Sequence, residues 1–254
     1  MKRKHLSLAI GCVLLSSTPL AWAQDAAPAD ASPATNATTL HSVKVTARKR
    51  EETLQDVPVA VTAFTAETLD KLAIKDIGDL DAQVPNLTIY AARGSTSTVT
   101  AYIRGVGQAD PLWGVDPGVG IYLDDVYIAR PQGALLDVFD VERIEVLRGP
   151  QGTLYGKNTI GGAIKYISRG LPQETTGFAS VTVGNYNQLD VKAALGGEIG
   201  GKDSGLRGRV SVASMNRDGF GTNTYTGQGV SDKEINAVRM QLGAYSHDDF
   251  DVQV

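Results

Sequence analysis

Beyond Pro172, apolar and polar positions alternate one for one. Ala179, Val181 and Val183 interleave with Ser180, Thr182 and Gly184, and Leu189, Val191, Ala193 and Leu195 with Gln188, Asp190 and Lys192. Leu206, Val210 and Val212 then alternate with Arg207, Arg209 and Ser211, and Val238, Met240, Leu242 and Ala244 with Arg239, Gln241 and Gly243. Phe250, Val252 and Val254 alternate with Asp251 and Gln253. A period of two marks strands that turn one face to an apolar medium, so five strands are expected over residues 173–254. An antiparallel sheet with one dry face would show this pattern, as would a membrane β-barrel with an apolar exterior. The polar faces carry Arg, Lys, Asp and Gln; an export signal at the N-terminus, the absence of helices and repetition of the pattern to the last residue favour the barrel.

From Gln55 to Leu171 the pattern is different, with short β-prone runs broken by short helical ones. Val57–Phe64 reads as a strand, and Thr65 as the cap of a helix reaching Leu72. A second short helix is expected over Asp76–Ala82, ending before Pro85. Further strands are expected at Leu87–Ala91, Val99–Val106, Gly120–Ala129, Arg143–Leu147 and Ala163–Ser168, separated by Gly-rich loops. Residues 53–172 therefore read as a small α+β domain preceding the barrel-type strands.

The first 52 residues read as segments with separate roles. Lys2, Arg3, Lys4 and His5, the apolar stretch Leu6–Leu15 and Ala21-Trp22-Ala23 form an export signal over residues 1–23, since the apolar run is too short to span a membrane. Residues 24–41, QDAAPADASPATNATTLH, lack periodicity and large apolar side chains and read as a flexible linker. Residues 42–52 hold a short β-prone segment, Val43-Lys44-Val45-Thr46-Ala47, and the charged run Arg48–Glu52.

Composition removes several classes of function. Export takes Lys2, Arg3 and Lys4 away from 24 basic side chains facing 28 acidic ones, and the resulting acidic chain is no nucleic-acid binder. The one cysteine, Cys12, falls in the export signal, and the histidines are His5, His41 and His247. Thiolate metal sites, cysteine nucleophiles and histidine-based hydrolysis are therefore not expected. No catalytic residue, metal ligand or cofactor is assigned. Gly156-Lys157-Asn158 lacks both the earlier Gly and the Ser or Thr of a phosphate-binding loop. Asp124 and Asp125, read as neighbours on a strand, would face opposite sides and could not share an ion.

Five stretches, in order, resemble the TonB-dependent outer-membrane transporters. They are Val43-Lys44-Val45-Thr46-Ala47; Leu54–Phe64 (LQDVPVAVTAF); Ile103-Arg104-Gly105-Val106-Gly107; Ile121-Tyr122-Leu123-Asp124-Asp125-Val126-Tyr127; and Val141–Gly156 (VERIEVLRGPQGTLYG) with Gly161-Gly162-Ala163-Ile164. The resemblance implies an α+β plug domain followed by the first antiparallel strands of a transmembrane β-barrel. It implies that Val43, Lys44, Val45, Thr46 and Ala47 form the TonB box, pairing as an added strand with the periplasmic energy transducer TonB; the alternative is the first strand of the plug sheet. It implies that Arg104 and Arg148 lock the plug to barrel carboxylates, the alternative being ordinary loop arginines. Gly105, Gly149, Gly152, Gly156, Gly161 and Gly162 are expected to serve tight turns and close approaches.

Arg93, Gln108, Asp110 and Trp113 are candidate ligand contacts on outward loops. The expected function is active uptake of a scarce bulky nutrient, by family default a ferric siderophore, with TonB, outer-membrane lipid and the small-molecule ligand as partners. A signalling receptor is the alternative, although eighteen residues before the box are too few for an extra folded domain. Five strands cannot close a barrel whose size class has about 22. The chain is therefore expected to be a fragment of a longer reading frame, or a truncated, non-functional product.

Overall fold

The computed structural model describes residues 42–92, 97–110, 112, 114–201, 204–245 and, in backbone, 251–253. The export signal, the linker, Arg93 and Trp113 lie outside them. Two short strands come first, β1 (Lys44–Val45) and β2 (Glu52–Thr53), pairing as an antiparallel hairpin of their own. Then follow β3 (Val61–Thr65), helix α1 (Ala66–Lys71), a 3-10 helix over Ile77–Ala82, β4 (Leu87–Ala91), β5 (Val99–Ile103) and β6 (Val106–Gly107). β7 (Val119–Leu123), β8 (Val126–Tyr127), β9 (Val141–Arg148), helix α2 (Gly152–Tyr155) and β10 (Gly162–Ser168) complete the plug.

Its main sheet runs in the order β3-β9-β10-β7-β8, with a second sheet β4-β5-β6 beside it. Alternation along β9 and β10 gives the main sheet two working faces. Ile144, Val146, Ile164 and Tyr166 point into a core with Phe64, Leu69, Ile77, Leu80 and Ile103. Leu147 and Ala163 point the other way, into a smaller core with Val45, Ala47, Val57, Tyr122 and Tyr155.

Local signals explain the helices. Thr65 caps α1 by accepting from the Thr68 amide, and Asp76 and Asp79 form a capping box on the 3-10 helix. Three expected strands are shorter than their β-prone runs. β3 begins at Val61, because Pro58 has no amide to donate to a ladder. The run Val99–Val106 is cut by a turn at Arg104 and Gly105, with φ of 53° and 78°. That over Gly120–Ala129 is cut at Asp124 and Asp125, with φ of 47° and 65°. Left-handed conformations at both central residues belong to tight hairpins. Asp124 and Asp125 are thus turn residues, not strand neighbours. Asp124 accepts from the Ser168 amide at 2.7 Å and hydroxyl at 2.5 Å, and Asp125 faces Lys49 and Lys165.

The alternating region forms one antiparallel sheet of β11 (Thr176–Gly184), β12 (Gln188–Glu198), β13 (Leu206–Arg217), β16 (Lys233–Tyr245) and β17 (Asp251–Gln253). A small hairpin, β14 (Gly221–Thr222) with β15 (Gly229–Val230), decorates the connection before β16. The sheet is open, and its burial is the reverse of a water-soluble sheet. Val181, Val183, Leu195, Val238 and Met240 are exposed, whereas Arg209, Ser211 and Asp190 are buried. The polar face packs on the plug and the apolar face points outward, which is the arrangement of a membrane barrel wall. The fold is a plug domain followed by partial barrel strands.

Candidate functional site

The 43–47 segment sits on the smaller core face of the main sheet. Opposite one another in the β9–β10 register stand Glu145 and Lys165, whose immediate neighbours in each strand are apolar. Both are buried; they lie 4.0 Å apart as an ion pair without a hydrogen bond between them, and each hydrogen-bonds Thr46. The Thr46 amide donates to Glu145 Oε1 at 2.8 Å, and Lys165 Nζ donates to Thr46 Oγ1 at 2.8 Å and to its carbonyl at 3.0 Å. Arg143 bridges Glu145 at 2.8 Å and Thr46 Oγ1 at 3.2 Å. On the other side, the Tyr155 hydroxyl donates to the Ala47 carbonyl at 2.8 Å. Val45 and Ala47 fill the apolar holes between these contacts. Full burial of a Val-sized side chain contributes about 1.5–3 kcal/mol.

Charge closes the seat from above. Lys49 pairs with Asp125 at 3.1 Å and lies over the Tyr155 ring, 4.7 Å from its centroid. Lys165 reaches the same carboxylate at 3.1 Å. Burial works to raise the Asp125 carboxyl, but Lys165 and Lys49 outweigh it and hold the group below its ordinary value. Desolvation, with Tyr127 beside it, pushes the Tyr122 hydroxyl up to about 12. Desolvation raises Tyr155 as well, reinforced by Asp125 and Glu145, so both phenols remain hydrogen-bond donors at neutral pH.

Arg104 and Arg148 are brought together, but not onto carboxylates. A Cβ built on Gly149 would lie 3.3 Å from an Arg104 guanidinium nitrogen, next to Arg148 in the chain. Among the described residues neither makes an ion pair, and Arg148 Nε has no hydrogen-bond partner. Of the selected glycines, Gly105, Gly149 and Gly156 have φ of 78°, 109° and 80°. Gly161 and Gly162 permit close approach, since Cβ atoms there would lie 2.8 Å from the Val106 carbonyl and 2.2 Å from that of Leu147. Gly152 departs from the expectation: it opens α2, and a Cβ there would meet nothing within 4 Å.

Of the candidate ligand contacts, Gln108 and Asp110 are described. Gln108 Nε2 donates to the Asp110 carbonyl, and the Gln108 side chain lines a small plug cavity with Val99, Val119 and Ile121.

Plug and wall meet through polar groups that sequence patterning did not single out. Asp140, just before β9, accepts a two-pronged ion pair from Arg209 of β13, with Nε to Oδ2 at 2.7 Å, and a hydrogen bond from the Ser211 hydroxyl. Lys192 donates to the Val138 carbonyl at 2.7 Å, and Lys233 pairs with Asp137 at 2.6 Å. A sequence signal existed for Lys165, a charge interrupting the apolar run of β10, whereas Glu145 is one of four charged residues in β9. None existed for their convergence on Thr46, about a hundred positions away.

Comparison with known proteins gives a consistent result. Residues 53–163 match the TonB-dependent Receptor Plug Domain family. The chain is 31% identical over 185 residues to an iron-regulated outer membrane virulence protein of Vibrio cholerae, covering 68% of this chain and 24% of that one. It is 29% identical over 229 residues to a pesticin receptor of Yersinia enterocolitica, covering 89% and 32%. The crystal structure of the ferric yersiniabactin uptake receptor FyuA from Yersinia pestis superposes with a TM-score of 0.68 at 28% identity, covering 75% of this chain and 29% of that one. The ferripyoverdine receptor of Pseudomonas aeruginosa shares the fold, with a TM-score of 0.68 at 18% identity over 83% of this chain and 26% of that one. The chain spans about a quarter to a third of the length of these curated relatives.

Proposed function

Because the chain belongs, through its plug domain, to the TonB-dependent receptors, we propose that the protein it forms imports a bulky, scarce nutrient across an outer membrane. The cargo class is a ferric siderophore, the chemistry named for the yersiniabactin and pyoverdine receptors it resembles. Its place is the outer membrane, reached through the export signal of residues 1–23. No bond of the cargo is made or broken.

One observation carries this reading: a plug packed on the polar face of a sheet whose apolar face points outward. Such a plug fills a lumen, and moving it requires an external force. TonB supplies that force through the 43–47 segment by strand addition. The seated segment has its backbone engaged already, with the Thr46 amide on Glu145 and the Thr46 and Ala47 carbonyls on Lys165 and Tyr155. It must leave the seat before its edge can join another sheet. Lys165, Glu145, Arg143 and Tyr155 are therefore retention residues for the box in the resting plug.

The test is uptake of radiolabelled ferric siderophores by cells carrying the receptor, with and without a collapsed proton gradient. Val45→Pro removes a ladder donor and is expected to abolish energised uptake while ligand still binds at the surface. Energised uptake at the wild-type rate in that variant would overturn the assignment of the box.

A further inference from the structure

The plug and the wall are joined by an ion pair whose polarity is opposite to that implied by the family resemblance: the acid is on the plug and the arginine on the barrel. Asp140 and Arg209 side chains are each 1% exposed, which makes this the most deeply buried plug-to-wall ion pair among the described residues. The Asp140 carboxylate takes both prongs of the Arg209 guanidinium and the Ser211 hydroxyl. Its backbone carbonyl takes Arg239 at 3.3 Å and the Arg169 amide at 3.0 Å. Arg239 in turn lies over the ring of Phe139, 4.7 Å from its centroid.

Three elements thus converge on one residue: β13 and β16 of the wall, and the chain leaving β10. Asp140 also has a φ of 49°. Aspartate and asparagine tolerate that conformation better than other side chains, so Asp140 joins a turn conformer to a charge aimed at the wall. Directly beside it runs a polar cleft between plug and wall of about 520 Å³, lined by Asp70, Asp140, Arg169, Ser180, Thr182 and Lys192.

We propose that Asp140, with Arg209 and Ser211, is the retention latch of the plug: it keeps the start of β9 fixed to the barrel wall while force is applied at the box. The inference rests on the reading of the domain as a lumen plug. Position supports the role. Asp140 stands immediately before β9 and five residues before Glu145, roughly 16 Å of chain at strand rise, so the start of β9 is tied to the wall while its middle holds Thr46. Tension on the box then acts against a fixed strand. The seat contacts of Thr46 and the five-residue pairing of edge strand β3 with β9 yield before the latch does. A two-pronged guanidinium–carboxylate pair is directional and suits this task better than a single lysine contact.

Asp140→Asn isolates the charge, because asparagine keeps the left-handed backbone and the side-chain shape. In cells carrying the full-length receptor, D140N and R209Q are each expected to lose exclusion of a large glycopeptide antibiotic in the absence of ligand and of a proton gradient. D140N/R209Q, a neutral amide pair, is expected to be no worse than either single variant. A cysteine pair, D140C/S211C, is expected to restore exclusion when oxidised and to retain energised uptake of ferric siderophore. Wild-type exclusion by both single variants at equal surface level would overturn the latch, as would uptake by the oxidised cysteine pair that stops until reductant is added. Should D140N not reach the membrane, R209Q and the oxidised pair decide the question. The antibiotic readout is independent of cargo, so an absence of siderophore uptake in the wild type would defeat the transport reading and leave the latch to be judged by exclusion alone.

Discussion

Thr46 is the residue on which the resting state of the box turns. Its hydroxyl accepts from Lys165 and Arg143 and its backbone amide donates to Glu145, so one small residue supplies a partner to two cations and a buried carboxylate. Thr46→Val keeps the shape and removes the oxygen. Leaving a buried charged donor without that partner costs about 1–3 kcal/mol, and the cost falls on the seated state alone. Backbone amides of Val45, Thr46 and Ala47 are therefore expected to exchange hydrogen roughly ten- to hundredfold faster in T46V, on the scale of about 1.4 kcal/mol per factor of ten. Amides of β9 and β10 should hold their wild-type rates. Unchanged exchange at 45–47 would show that apolar burial of Val45 and Ala47 holds the segment without Thr46.

At the scale of elements, the glycines of the plug divide by backbone geometry. Gly162 begins β10 at φ 150°, with the Leu147 carbonyl 2.2 Å from where a Cβ would stand, so Gly162→Ala must displace backbone in the middle of the main sheet. Gly152 begins α2 with open space around it, and Gly152→Ala should stabilise by about 0.4–1 kcal/mol, chiefly through the unfolded chain. Thermal unfolding of the two variants should therefore move in opposite directions; equal shifts would remove the distinction. The sequence offered no means of separating these glycines, because both lie in Gly-rich connections and only the close approach of β9 distinguishes them. The positions of α1, the 3-10 helix and the five alternating strands were legible from caps and periodicity, which act over a few residues. The turns at Arg104-Gly105 and Asp124-Asp125 were not, since each lies inside a β-prone run and its left-handed backbone is imposed by pairing of the flanking strands. The seat and the contacts of Asp140 with the wall were illegible for a stronger reason: each joins residues about seventy to a hundred and twenty positions apart.

The whole molecule is organised by a solvent boundary that runs along the wall strands as well as across them. Outward positions in register form apolar rows: Leu195, Val210 and Met240 lie side by side, as do Ala193, Val212 and Val238. One row further along, Ser214 and Asn236 face outward and hydrogen-bond at 2.9 Å, followed by Asn216 opposite Glu234. On β13 and β16 the apolar rows give way there to polar ones, whereas on β11 and β12 the same two rows stay apolar with Val181, Val191, Val183 and Leu189. A lipid-facing cation costs about 2–4 kcal/mol at the bilayer midplane but only about 0–1 kcal/mol near the interface. Val238→Lys, inside the apolar rows, is therefore expected to lower the fraction of receptor that folds into lipid vesicles, with a matching fall in the denaturant midpoint. Ser214→Lys, on the same face and one row beyond, should fold almost as the wild type does. Both positions face outward on paired strands, so a water-exposed sheet would tolerate the two lysines equally. A steep difference between them, read from denaturant titration and heat-modifiable gel migration, is what a bilayer around this face requires; equal tolerance would mean that the apolar rows meet something other than lipid.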